Sequence, residues 1–165
     1  IKVAVPKEFF AKGLDAEVRE AVDAALDLLK NLGAEVKEVS LPHAEYFTAA
    51  NYLITTVEAA SNLARFDGVR YGHRTSRFDN MFDMYRKTRG QGFGEEVKRR
   101  IILGTHALSS SYYNTYCVRA LKARQMIKND FERIFKNFQC IITPTSSTTA
   151  FKIGERIDLR CKRKP

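Results

Sequence analysis

The residues best suited to chemistry fall within 92–113, GFGEEVKRRIILGTHALSSSYY, where acids, bases, a histidine and consecutive serines share one stretch. Glu95 and Glu96 suit the positive end of a helix dipole, so a helix is predicted to start near Glu95. Lys98, Arg99 and Arg100 come just after that turn, where a lone cation gains nothing from the dipole, and they need another reason to be there. A solvated helix face is one reading of the triplet. The other is an anion site, because an arginine fork matches a carboxylate bidentately and keeps its charge at any working pH. Arg100 stands directly before the apolar run Ile101-Ile102-Leu103, so it can lean on a packed face while its head reaches a pocket, whereas Lys98 is expected to face water. Arg100 is the candidate anion ligand.

Other constellations are weaker. Ser109, Ser110 and Ser111 invite a nucleophile, but no G-x-S-x-G elbow or S-x-x-K pair occurs, and His106 three residues before Ser109 is only a helical neighbour. Gly90, Gly92 and Gly94 fail as a dinucleotide fingerprint, since Val97 takes the third glycine's place and two acids stand where phosphate would dock; they read as turn residues forming a hinge. His43, His73 and His106 are scattered without metal-ligand spacing, so no metal site is expected. Cys117, Cys140 and Cys161 include no C-x-x-C pair and read as reduced thiols.

The elements that must carry these groups are legible from period and punctuation. Residues 1–5 alternate as a strand and stop at Pro6, with a loop over 8–13. A helix follows, capped by Asp15, with Val18, Val22, Ala25, Leu29 and Leu32 as its apolar stripe and Gly33 as its left-handed terminator. Residues 34–41 alternate again before Pro42, and strand, helix, strand suggests a right-handed crossover with parallel strands. A second helix over 44–66, apolar around much of its circumference, is expected to be deeply buried, with Glu58 and Asn62 satisfied by partners and bracing the next loop. Asp67-Gly68 marks a turn, 73–79 is polar and basic, and 78–88 reads as a short helix. The serines break the chain, a long amphipathic helix occupies 113–138, and 140–143 is a brief strand closed by Pro144.

At 165 residues, 44% hydrophobic and 28% charged, the chain has a composition typical of soluble globular proteins, and no run of about 18 apolar residues is present to cross a bilayer. No leader is visible, and the expected location is cytoplasmic. Numbering that opens on Ile1, inside a strand-like segment, is expected of a piece of a longer protein. The net charge of +9 raises nucleic-acid binding, but residues 156–165, RIDLRCKRKP, supply five of the bases against one acid, and no RNA-recognition strand, zinc knuckle or GXXG loop accompanies it.

Three segments, AASNLARFDGVRYG (59–72), residues 92–113 and CIITPTSSTTAFKIGE (140–155), with IKVAVPKEFF and GAEVKEVSLP, resemble the amidase signature family. Within it, the chain resembles the C-terminal portion of the glutaminase (A) subunits of bacterial glutamyl-tRNA(Gln) amidotransferases. The resemblance covers 1–155 and sets residues 156–165 apart as a basic tail outside the family pattern. It implies a fragment of the amidase-signature fold, an α/β arrangement with a short, mainly parallel or mixed sheet flanked by helices. It implies an enzyme that releases ammonia from glutamine and works with partner subunits B and C; another subunit then uses that ammonia, with ATP and magnesium, to convert Glu-tRNA(Gln) to Gln-tRNA(Gln). ATP, magnesium and tRNA would concern the complex, with no cofactor bound by this chain.

In that family the nucleophile is a serine activated through a second serine by a lysine, in a Gly/Ser-rich signature that this sequence does not contain. No catalytic residue is therefore assigned, and the chain alone is expected to be inactive. The resemblance makes Arg100 the clamp on glutamine's carboxylate and puts Tyr52 in the wall of the same pocket, although Tyr52 also reads as a buried helix aromatic. The family's amine-holding aspartate would lie beyond 152–155, and Asp158 is not taken for it. Exposed fragment surface raises the prospect of a homo-oligomer. The alternative is a stand-alone basic α/β module that binds RNA or a protein partner.

Overall fold

Val3 and Ala4 are sequence neighbours, yet both are buried in the computed structural model, which describes residues 1–10 and 13–155. A strand half exposed to water buries alternate residues; one that buries successive residues is covered on both faces. Strand β1 (Lys2–Pro6) is indeed central: the sheet order is β2-β1-β3, with β2 (Glu35–Val39) and β3 (Cys140–Ile141) on either side. Both pairings are parallel, Val3 standing opposite Val36 on one side and Cys140 on the other, so the described sheet is wholly parallel where a mixed one was also open.

The chain divides into two units, residues 1–42 together with the described chain from Asp130 onward, and His43–Asn129. In the first, α1 (Ala16–Asn31) connects β1 to β2, starting where the Asp15 carboxylate accepts from the Glu17 N–H. Its inward stripe is Val18, Val22, Leu26 and Leu29, with Leu26 in place of the expected Ala25, and Leu32 lies exposed past the helix end. Gly33 adopts φ +86°, the left-handed turn that lets the chain reverse into β2. Residues Lys7–Phe10, expected as loop, close a 3-10 turn, and Glu8 there accepts from the Ser40 hydroxyl at 2.6 Å. The polar run after Pro144 is tied down by one backbone bond, Asp15 N–H to Ser147 carbonyl at 2.9 Å. The basic tail falls on residues 156–165, outside the described residues.

In the second unit, α2 (Phe47–Leu63), preceded by a 3-10 turn at Ala44–Tyr46, packs against α4 (Glu95–Leu108). The contact is close because Gly104 carries no side chain: a Cβ there would stand 2.2 Å from the Thr56 carbonyl oxygen and 2.7 Å from the Ala60 Cβ. Helix α2 is less buried than its composition suggests. Only Ala50, Thr56 and Ala60 are fully buried, and Glu58 and Asn62 are exposed, so they brace no loop from within. One packed face is enough to hold the helix, and the remaining apolar positions border grooves.

The loop after α2 is set by Asp67, whose carboxylate accepts from the N–H groups of Val69 and Arg70 while Gly68 turns at φ +81°. Arg89 of α3 (Met81–Gly92) reaches back to the carbonyls of Leu63 and Phe66 at 2.9 and 3.1 Å, satisfying orphan acceptors at the end of α2 and just beyond it. Helix α3 starts three residues later than expected because Asn80 caps it, and it runs through Gly90 and Gly92, leaving Gly94 alone as the break before α4. After Ser109 a π-helical turn (Asn114–Val118) leads into α5 (Arg119–Phe135), which belongs to the second unit up to Asn129. No helix among the described residues is long and apolar enough to cross a membrane.

Asp83 gives α3 a pH signature. Its carboxylate receives Lys87 at 2.6 Å, Arg86 at 2.8 Å and the Asp79 N–H at 3.2 Å, and these partners, Lys87 foremost, hold its pKa down to about 2. A depressed acid contributes stability that is complete above the ordinary aspartate range and lost as pH falls through the folded value. Thermal melts from pH 7 to pH 2 are therefore expected to show the native chain falling steeply below about 4, and Asp83→Asn starting lower and meeting it near the acid end. Parallel curves would remove Asp83 from the account.

Candidate functional site

The first turns of α4 concentrate charge by helical spacing. Glu96 sits three residues before Arg99 and four before Arg100, so both side chains fall on its face of the helix. Arg99 bonds Glu96 through two nitrogens at 2.9 and 3.0 Å, and Arg100 Nε donates to Glu96 Oε1 at 3.0 Å. The two guanidinium groups, Arg100 first, hold the Glu96 carboxyl below its usual range. One carboxylate facing two permanent cations leaves a net positive charge, and Arg100 keeps its terminal nitrogens without a hydrogen bond among the described residues.

That charge lies over an aromatic ring. The close α2–α4 contact brings the Arg100 guanidinium carbon 5.9 Å and that of Arg99 6.0 Å from the centre of Tyr52 on α2. The two residues singled out from sequence are thus neighbours. The Arg100 side chain is 42% exposed, so it is braced on one side and open to an incoming anion on the other. Lys98 departs from expectation: it is half-buried and donates from Nζ to the Gly90 carbonyl, because α4 begins directly after the end of α3.

Tyr52 also lines a cavity of about 220 Å³ whose wall includes Thr56, Leu103, His106 and Tyr116 but not Arg100. The Tyr52 hydroxyl is buried and finds no hydrogen-bond partner among the described residues. A buried hydroxyl left unpaired costs free energy on the order of 1–3 kcal/mol. Leu53, Leu103 and Ala107 give the wall its aliphatic surface, and outside it Tyr112 lies against His106, with ring centres 4.4 Å apart. Ser109 donates its hydroxyl to the His106 backbone carbonyl at 2.7 Å, which makes it a terminator of α4. Among the described residues no group of three or more His, Cys, Asp or Glu side chains converges as a metal site.

The other members of this site are unequally visible in the sequence. Glu96 is legible as an i,i+4 partner of Arg100. Gly104, a lone glycine inside a helical pattern, carries the usual signal of close approach. Thr56 and His106 as lining residues carry no local signal, since only the folded contact between helices brings them to one cavity.

A family model described as Amidase matches residues 1–163. The chain is 55% identical over 157 residues to the glutamyl-tRNA(Gln) amidotransferase A subunit of Clostridium botulinum (strain Kyoto / Type A2), an alignment covering 95% of this chain and 32% of that protein. It is 55% identical over 158 residues to the same subunit of Bacillus cytotoxicus, covering 96% and 33%. The crystal structure of the glutamyl-tRNA(Gln) amidotransferase A subunit from Thermotoga maritima matches with a TM-score of 0.66 and 38% identity over 98% of this chain and 30% of that one. The chain spans about a third of the length of the curated relatives it matches.

Proposed function

Because the chain belongs to the amidase family, we propose that it is part of the glutaminase subunit of a glutamyl-tRNA(Gln) amidotransferase and contributes the carboxylate end of a glutamine pocket. In this reading glutamine presents its α-carboxylate to the free terminal nitrogens of Arg100 and lies against the Tyr52 ring. Its amide is hydrolysed to glutamate and ammonia by a serine nucleophile carried on another part of the amidase polypeptide. With subunits B and C as its partners, another subunit of the complex uses that ammonia, with ATP and magnesium, on Glu-tRNA(Gln), and the assembly works in the cytoplasm. No step at those subunits is assigned to residues of this chain.

The observation that carries the reading is the placement of a part-free arginine fork over Tyr52, a residue that also lines a cavity. Arg100 supplies a fixed cation and geometry for a carboxylate, and Tyr52 supplies a flat apolar face. The test replaces the matching segment of the Clostridium botulinum glutaminase subunit with this chain and assays ammonia release from glutamine, beside the 165-residue chain alone. Turnover is expected in the exchanged subunit but not in the chain alone. Glutaminase activity in the isolated chain would overturn the assignment of the nucleophile elsewhere, and a correctly folded but inactive exchange would overturn the functional reading.

A further inference from the structure

The geometry points to the groove between α2 and α5 as the seat of another stretch of amidase polypeptide, an apolar segment with a carboxylate or carbonyl at one end. The groove holds about 350 Å³ and lies wholly in the second unit, between Tyr46, Ala49 and Leu53 on one side and Tyr116, Arg119 and Met126 on the other. Its surface is almost entirely carbon. Tyr46, Tyr116 and Met126 remain 43%, 39% and 38% exposed, an arrangement that a chain covering its own core would not leave in water.

The chemistry of the lining selects the kind of occupant. Transient partners meet surfaces about as polar as the rest of a protein, whereas permanent interfaces resemble a core cut in two. This groove is of the second kind, and Arg119 is its only charged residue, its side chain making no hydrogen bond or ion pair among the described residues. An occupant therefore brings aliphatic or aromatic side chains along the groove and one acceptor oxygen to the Arg119 end. The source is indicated by coverage: the Thermotoga maritima protein matches nearly all of this chain with the same fold, while more than two thirds of that protein has no counterpart here. The inference rests on family membership and on the groove, and is independent of how glutamine binds.

The test reads burial. In the exchanged Clostridium botulinum subunit described above, Ala49→Cys is compared with the same substitution in the isolated 165-residue chain by maleimide labelling, against parents with the native thiols. Ala49 is exposed in the chain, so the isolated variant should label freely, and at least tenfold protection is expected in the exchanged subunit. Equal labelling in two folded proteins overturns the proposal. Independently, the chain is co-expressed with the Clostridium botulinum subunit from which its matching segment has been removed. A one-to-one complex is expected, weakened at least tenfold by Ala49→Arg or Met126→Glu and untouched by Gln125→Glu, an exposed position of α5 outside the groove. Self-association of the chain that Ala49→Arg abolishes would assign the groove to a second copy and overturn it, as would a complex indifferent to both groove substitutions.

Discussion

Gly104→Ala is expected to destabilise the chain, although alanine is the better helix former by about 1 kcal/mol in a helix interior. The sign is decided by what the new methyl group would meet. Its nearest neighbours are the Thr56 carbonyl oxygen at 2.2 Å, the Ala60 Cβ at 2.7 Å and the Thr56 carbonyl carbon at 2.9 Å, two of them backbone atoms of the facing helix that cannot rotate away. Relief requires α4 to move off α2, which opens the contact that buries Thr56, Ala60 and Ala107. Overpacking of this kind costs typically ~1–3 kcal/mol. For a chain of this size that corresponds to a melting midpoint lower by roughly 2–4 °C per kcal/mol. Adding Ala60→Gly should restore part of the loss, since it removes one of the three collisions and leaves the carbonyl. A Gly104→Ala variant that melts at or above the parent temperature would show that the helices are not in such close contact.

Arg100→Ala in the exchanged subunit is expected to reduce kcat/KM for glutamine about 10- to 150-fold, mostly through KM. The estimate follows from the worth of a hydrogen bond to a charged group, about 1.5–3 kcal/mol, at about 1.4 kcal/mol per decade. Arg100→Lys should recover only part of the loss, because a lysine keeps the charge without the planar fork that engages both carboxylate oxygens. Stability should change little, as the exposed pair with Glu96 contributes little and Arg99 remains to hold that carboxylate. Tyr52→Phe separates two roles of the aromatic: a raised KM means the buried hydroxyl meets the substrate, an unchanged KM means only the ring is used. Steady-state assays over glutamine concentration decide both, and Arg100→Ala kinetics indistinguishable from the parent would remove Arg100 from the pocket.

Glu96 ties these experiments together. It orients Arg100 through Nε and is itself kept ionised by the two guanidinium groups, so the brace persists at neutral pH and weakens only as acid reaches the lowered carboxyl range. Gly104 acts on the same geometry from further along α4, by fixing how near the helix comes to Tyr52.

Much of this architecture could be read one residue at a time. Asp15 as a cap, Gly33 as a left-handed stop, Asp67-Gly68 as a turn and the start of α4 after Gly94 all follow from rules that act within a turn or two of chain, and the parallel pairing of the first two strands follows from the order strand, helix, strand. The same locality explains the errors. Gly90 and Gly92 signal a hinge, but Asn80 caps a helix whose ladder runs through both; the apolar circumference of α2 signals deep burial, but only the strip facing α4 is covered. What only the tertiary structure decided is apposition. That Arg100 overlies Tyr52, that Thr56 and His106 share a cavity, and that β1 is covered on both faces depend on residues dozens of positions apart meeting through close packing. Residue type and spacing set which side chains can bind an anion. The absence of a side chain at Gly104 sets how near the two helices that hold them can come.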